Sequence, residues 1–117
     1  MNDDPSFIDT TRLNELQDLF QVDFAAALTS FIVNATNYAT TIGQGLTAAD
    51  CKTIEHTAHK LKSSAAMFGA INVSAISIDL EAEARRNDLA KIPALYDRLI
   101  QELTRSIDYL TAYRAKL

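Results

Sequence analysis

The sequence predicts an all-α protein, an up-down-up-down antiparallel four-helix bundle with a short additional N-terminal helix. Three observations predict this fold. Long segments carry apolar residues at alternating steps of three and four, which is the spacing of one helix face. No segment alternates apolar and polar residues as a half-buried strand does, and only three of the 117 residues are glycine. The connections between the helical segments are short, and short connections make neighbouring helices antiparallel.

The N-terminal part is predicted to hold a loose lead-in, residues 1–8, followed by a short helix from about Asp9. Leu13, Leu16 and Phe20 lie on one side of this helix. A helix of this length is not stable alone, so we expect it to lie against the bundle.

The second helix is predicted from about Val22 to Ile42. We expect Gly43-Gln44-Gly45 to end it, because glycine commonly follows the last helical residue. Its apolar residues alternate steps of four and three, and they are Phe24, Leu28, Phe31, Ala35, Tyr38 and Ile42.

The central helix is predicted to begin at Thr47, with Asp50 as its capping partner, and to end near Gly69. Its length would be roughly 22 residues, or about 33 Å. At about 100° per residue, His59 lies roughly 140° from the centre of the apolar stripe and is predicted to point outward. The stripe itself is predicted to be buried, and it consists of Ile54, Ala58, Leu61, Ala65 and Phe68.

The fourth helix is predicted over about Asn72 to Arg86, followed by a turn and a last helix from near Pro93, which a first turn tolerates. The inward residues are predicted to be Val73, Ser77, Leu80 and Ala84 in the fourth helix and Ile92, Tyr96, Leu99, Leu103, Leu110 and Tyr113 in the last. Ile71, Ala75, Ile78 and Ala82 form a second apolar line on the fourth helix. We expect the N-terminal helix or a loop to cover this line, the alternative being contact with a partner or a second copy.

Length and composition predict one domain over residues 1–117 and argue against several classes of partner. The net charge of −4 disfavours nucleic acid, which needs a basic face. No apolar run is expected to reach the length of a membrane span, and the acidic N-terminus lacks the pattern of a secretory signal. The lone Cys51 excludes an internal disulfide and fits a reducing compartment. We therefore expect a cytoplasmic protein. We also expect a monomer, although the second apolar line on the fourth helix leaves room for a dimer.

His59 is the candidate site for chemistry. A neutral imidazole nitrogen can attack a phosphoryl group, and the labile P–N bond that results lets the group be passed on. Lys62, one turn later, offers a cation for the charge of the phosphate. Ser63 and Ser64 are small enough for a partner to close over the ring, and their hydroxyls can donate hydrogen bonds to phosphate oxygens. From spacing alone, a surface histidine without function is an equal alternative.

Other chemistry finds less support in the sequence. His56, one turn before His59, could be a second acceptor, an electrostatic neighbour or a residue without function. The two histidines lack the further ligands of a zinc or di-iron site, so we expect no metal. No ATP-binding loop or kinase motif is present. We therefore expect a phosphocarrier without kinase activity or a cofactor of its own, with Mg²⁺ held by a partner.

The stretch from Ala58 to Ala70 resembles the histidine-containing phosphotransfer (HPt) domain. The signature of that family is approximately A-H-x-L-K-G-x-x-x-x-x-G-A, and this chain reads AHKLKSSAAMFGA. Ser63 departs from the pattern, because glycine is usual at that position. The residues that match are Ala58, His59, Leu61, Lys62, Gly69 and Ala70, and Val73, Ser77, Leu80 and Glu81 fit the spacing that the family shows downstream.

The resemblance implies a phosphorelay intermediate. His59 would accept a phosphoryl group from an aspartate of one receiver domain and pass it to an aspartate of another, and Lys62 would assist the phosphate. The implied partners are receiver domains of response regulators and hybrid sensor histidine kinases, docked on the second and central helices around His59. One alternative is a non-transferring HPt-like binding module that docks on a receiver or a sensor kinase. The other is a bundle that binds a metal or a small ligand.

Overall fold

The computed structural model describes residues 5–117, which form a helical bundle. The elements are α1 (Thr10–Phe20), a 3₁₀ turn (Gln21–Asp23), α2 (Phe24–Thr47), α3 (Cys51–Met67), α4 (Ile71–Arg85) and α5 (Ile92–Ala115). Helix α2 contacts α3, α3 contacts α4, α4 contacts α5, and α5 contacts α2. These contacts close a four-helix bundle. The predicted fold, a four-helix antiparallel bundle with a short N-terminal helix, is confirmed.

The apolar stripes of the helices meet in one core. In α3, the residues predicted to be buried are all buried, which fixes the rotation of this helix about its axis. Helix α1 contacts α2 and contributes Leu13 and Leu16 to the core, as predicted. The Tyr113 hydroxyl of α5 also lies 2.9 Å from Asn14 Oδ1 and 2.8 Å from Gln17 Oε1 of α1.

The predicted end of α2 at Gly43-Gln44-Gly45 is wrong, because the helix continues through both glycines to Thr47. These glycines serve close packing between helices. A Cβ added at Gly43 would lie 2.5 Å from the Tyr96 hydroxyl oxygen of α5, and one at Gly45 would lie 2.9 Å from Ile54 of α3. The glycine signal therefore marked contacts with other helices and not a helix end.

The predicted start of α3 at Thr47 is also wrong. Thr47 closes α2, and its hydroxyl donates to the Gly43 carbonyl at 3.1 Å. Asp50 is the N-cap of α3: its carboxylate accepts from the Thr53 amide at 3.1 Å and from the Thr53 hydroxyl at 2.7 Å. This bonding holds the pKa of Asp50 below its ordinary value. Helix α3 has 17 residues and not the predicted 22.

The segment before α1 is tied to the connection between α3 and α4. Residues 1–4 of the predicted loose lead-in lie outside the described residues. Ile8 is buried and pairs with Ala70, the Asp9 amide donates to the Gly69 carbonyl at 2.7 Å, and the Ile71 amide donates to the Phe7 carbonyl at 3.1 Å. Phe7 and Ile8 are therefore not loose, because their backbone and side chains complete the bundle here.

The second apolar line on α4 is not covered as we expected. Ile71 is 45% exposed and Ile78 is 50% exposed. Ala75 is also exposed, and Ala82 is half-buried. Within residues 5–117, neither α1 nor a loop buries this line, so the expectation that the N-terminal helix or a loop covers it is wrong.

One stretch meets the length and composition of a membrane span. An 18-residue window within Thr10–Thr47 is long and apolar enough, so the expectation that no apolar run reaches this length is wrong on that criterion. The criterion alone does not define a span. One face of this stretch places Phe24, Leu28 and Phe31 in the bundle core, and core helices of soluble proteins pass the same test.

Gly69 is predicted to be required for the connection between α3 and α4. Its φ is +76°, and a Cβ would lie 2.6 Å from the Asp9 carbonyl oxygen. We expect Gly69→Ala to lower the free energy of unfolding by about 2–3 kcal/mol, measured by urea denaturation. Ala49 also has a positive φ, +54°, which glycine adopts more readily than alanine. We therefore expect Ala49→Gly to raise the free energy of unfolding. A Gly69→Ala protein as stable as the wild type would contradict this account of the turn.

The hydroxyl of Ser106 is predicted to lower the free energy of unfolding. Its hydroxyl is fully buried in α5 and has no hydrogen-bond partner within the described part of the chain. Removing an unsatisfied buried hydroxyl should raise the free energy of unfolding, so we expect Ser106→Ala to gain about 1 kcal/mol. Ser77→Ala is the matched control: Ser77 is equally buried, but its hydroxyl donates to the Val73 carbonyl at 2.8 Å, so no gain is expected. Equal changes in the two variants would refute the explanation.

Candidate functional site

His59 projects from the outer side of α3, as its position opposite the buried stripe predicts. Its side chain is 60% exposed, whereas Ala58 and Leu61, on the opposite face of the helix, are fully buried. The neighbouring helix that the ring reaches is α4. His59 Nδ1 lies 2.8 Å from Glu81 Oε2.

Glu81 is a nearly buried carboxylate, with 8% of its side chain exposed. The hydrogen bond from Lys62 lowers its pKa most, and the hydrogen bond with His59 lowers it further, whereas burial opposes both. The carboxylate is therefore ionised near neutral pH and can only accept hydrogen bonds. It follows that His59 Nδ1 carries the proton and donates it, and that Nε2 holds the free lone pair of the neutral ring.

Lys62 does not extend freely into solvent. Its Nζ donates to Glu81 Oε1 at 2.9 Å, and its side chain is 29% exposed. The sequence predicted a cation next to the imidazole on α3. In the structure, Glu81 joins the two groups, because its oxygens bond to the ring and to the ammonium group respectively.

Arg85 and Glu55 extend this network by one turn along both helices. Arg85 NH2 donates to Glu81 Oε2 at 3.0 Å, and Arg85 Nε donates to Glu55 Oε2 at 3.0 Å. Hydrogen bonding to Glu55, together with the charges of Glu55 and Glu81, raises the pKa of Arg85. Alternating negative and positive groups therefore connect α3 to α4 on both sides of the imidazole.

The structure separates the two serines predicted to line the site. Ser63 is exposed one turn after His59, and its hydroxyl donates to the His59 carbonyl at 3.4 Å. Ser64 is half-buried further around the helix, and its hydroxyl donates to the Leu61 carbonyl at 3.3 Å. Only Ser63 shares the face of the imidazole.

An open cavity of about 640 Å³ borders the ring on the side that leads to the N-terminus of α3. Its lining includes His56, Lys52, Glu55 and Arg85 together with His59 and Glu81. Among residues 5–117, no group of three or more His, Cys, Asp or Glu side chains is arranged to hold a metal ion.

Reasoning from the sequence gave no role to Glu81, Arg85 or Glu55. Glu81 had two available signals. It fits the downstream spacing of the family motif, and it lies among the inward positions of α4 that include Ser77, Leu80 and Ala84. A carboxylate on a buried face is rarely left without a cation. The side chain that bonds to the ring comes from α4. The expected docking surface on the second and central helices stays a prediction.

An exposed imidazole with one oriented nitrogen suits a protein that carries a phosphoryl group on histidine. The comparison with protein families agrees with this class: the chain belongs to the Hpt domain family, whose model matches residues 26–109. The fold is that of histidine-containing phosphotransfer protein B (HptB) from Pseudomonas aeruginosa PAO1. The crystal structure of that protein superposes with a TM-score of 0.95 at 24% identity, covering 97% of this chain and 99% of that one. No curated protein matches this chain significantly by sequence.

The hydrogen bonds of Glu81 give a prediction for the pH dependence of stability. The pKa of this carboxyl lies below its ordinary value of 4.5. The stabilisation is therefore complete above about pH 4.5 and is lost as the pH falls through the lower, folded-state pKa. We expect Glu81→Gln to lower the free energy of unfolding at pH 7 by about 1–3 kcal/mol.

Urea denaturation of both proteins from pH 7 to pH 3 measures this difference. We expect it to shrink as the pH falls below 4.5, because the carboxyl of the unfolded wild type then binds a proton while that of the folded state is still ionised. A difference that stays constant across this range would show that the charge of Glu81 does not stabilise the fold.

Proposed function

We propose that this protein is a phosphorelay intermediate, in which His59 accepts a phosphoryl group from an aspartate of one receiver domain and donates it to an aspartate of another. The observation that carries the proposal is the hydrogen bond between His59 Nδ1 and Glu81. It leaves Nε2 as the nucleophilic nitrogen on a side chain that is 60% exposed. The family and the position of His59 in the family motif support the same assignment.

The proposed step needs no proton to move. The Nε2 lone pair attacks the phosphorus of the aspartyl phosphate, the P–O bond to the aspartate breaks, and the aspartate leaves as a carboxylate. The ring keeps its Nδ1 proton and becomes a phosphorylated imidazolium. Glu81 stabilises the positive charge of that ring, as a buried carboxylate does for other catalytic histidines. In the second transfer a carboxylate oxygen attacks the phosphorus, and the electrons of the P–N bond return to Nε2.

Lys62 has a role in this reaction that follows from its contact with Glu81. A phosphoryl group on the ring carries a charge of about −1.5 to −2, which the nearby carboxylate would repel. Lys62 offsets the charge of Glu81, and its ammonium group bonds to the same carboxylate as the ring. We therefore expect it to attract the phosphoryl oxygens as well. Ser63 occupies the position of the usual glycine, and it is small and exposed on the same face, which leaves room for a partner.

The partners follow from this reaction. We propose docking on receiver domains of response regulators and hybrid sensor histidine kinases by a monomer in the cytoplasm. The phosphoryl group originates in another protein, because the sequence has no ATP-binding motif. Mg²⁺ would belong to the receiver domain. The alternative is a non-transferring module that binds a receiver or a kinase.

Phosphoryl transfer from a phosphorylated receiver domain tests the proposal. We expect the wild type to become labelled with an acid-labile, base-stable phosphate, and His59→Gln to remain unlabelled. His56→Gln is the matched control, because His56 is also an exposed histidine of α3 and should leave the labelling intact. Labelling of His59→Gln would overturn the site. Binding of the receiver without labelling of the wild type would favour the non-transferring module.

A further inference from the structure

The contact between Glu55 and Arg85 lies outside the groups that would touch the phosphoryl group. Glu55 precedes His59 by one turn on α3, and its side chain is 35% exposed. Its carboxylate accepts from Arg85 Nε at 3.0 Å. Arg85 is 64% exposed, so the contact crosses from α3 to α4 at the surface.

Without Glu55, Arg85 would keep one ion-pair partner among residues 5–117, namely Glu81, four residues earlier on the same helix. A single exposed ion pair of this kind contributes little and leaves a long side chain mobile. With Glu55 present, the guanidinium is fixed at both Nε and NH2, and its planar group then has one orientation. The NH2 group is thereby kept on Glu81 Oε2.

Glu81 Oε2 accepts from two donors, Arg85 NH2 at 3.0 Å and His59 Nδ1 at 2.8 Å. The other oxygen, Oε1, accepts from Lys62. The orientation of the carboxylate therefore depends on donors at both oxygens. If Arg85 moves away, Oε2 can turn toward water, and the imidazole loses the acceptor that keeps its proton on Nδ1.

We infer that Glu55 is a positioning residue for phosphoryl transfer, which acts through Arg85 and Glu81 to hold His59 as the Nδ1–H tautomer with Nε2 free. The inference rests on the proposed function. The contacts form a closed loop from Glu55 to Arg85, Glu81 and His59, and one turn of α3 joins His59 back to Glu55. Glu55 touches neither the ring nor the incoming phosphoryl group, so its effect has to pass through the other members of the loop.

The test is Glu55→Gln, which keeps the size of the side chain and removes its charge. Nitrogen NMR of the histidine rings at a pH where they are neutral measures the ratio of the two tautomers. We expect the ratio of the Nδ1–H to the Nε2–H form of His59 to fall about two- to fivefold, the range of an exposed ion pair. The rate of transfer from a phosphorylated receiver domain should fall by the same factor as the fraction of His59 in the Nδ1–H form. Glu15→Gln is the matched control, since Glu15 pairs with an arginine on the surface of α1.

A double-mutant cycle with Arg85→Met tests whether Glu55 orients His59 through Arg85 or only stabilises the packing of α3 on α4. If Glu55 acts through Arg85, the double variant should have the same tautomer ratio as Arg85→Met alone, whereas independent effects would add. Additive effects, or a tautomer ratio unchanged in Glu55→Gln, would overturn the inference. The NMR measurement uses unphosphorylated protein, so it decides the role of Glu55 even if the wild type accepts no phosphoryl group from a receiver domain.

Discussion

The carboxylate of Glu81 is the group on which the site depends. A buried carboxylate is costly unless cations and hydrogen-bond donors surround it. Glu81 meets this requirement with His59 and Lys62 from α3 and Arg85 from its own helix. The same contacts orient the imidazole and join α3 to α4. Under the proposed function, the contacts that pack this helix pair are therefore also those that prepare the nucleophile.

The balance of charge around the ring suits a carrier that must release what it binds. Within the hydrogen-bonded cluster beside the ring, Glu55 and Glu81 contribute two negative charges, and Lys62 and Arg85 contribute two positive charges. A strongly positive site would bind the phosphoryl group tightly and slow its departure. A negative site would resist its arrival. Under the proposed function, a nearly neutral cluster allows transfer in both directions, and the partner supplies the groups that stabilise the transition state.

The sequence predicted the helices more reliably than their ends. The period of apolar residues depends on burial along a whole helix, so it identified every bundle helix and the outward direction of His59. The ends depend on single residues whose partners are distant. Gly43 looked like a stop signal, but Tyr96 packs against it, and nothing local to Gly43 indicates that contact. Asp50 looked like the partner of a cap at Thr47, although it is itself the cap that bonds to Thr53.

The site residues that are close in sequence could be predicted, whereas the contact made by a residue of another helix could not. His59, Lys62 and Ser63 lie within four residues of one another, so helical spacing alone placed them on neighbouring positions of one helix. Glu81 is 22 residues away, and its hydrogen bond to the ring depends on how α4 packs on α3. For that reason the sequence indicated a lysine beside the imidazole but not the carboxylate to which the lysine is bonded. The residues of the family motif on α3 describe half of the arrangement. Under the proposed function, the Glu81 carboxylate on α4 determines which imidazole nitrogen can react.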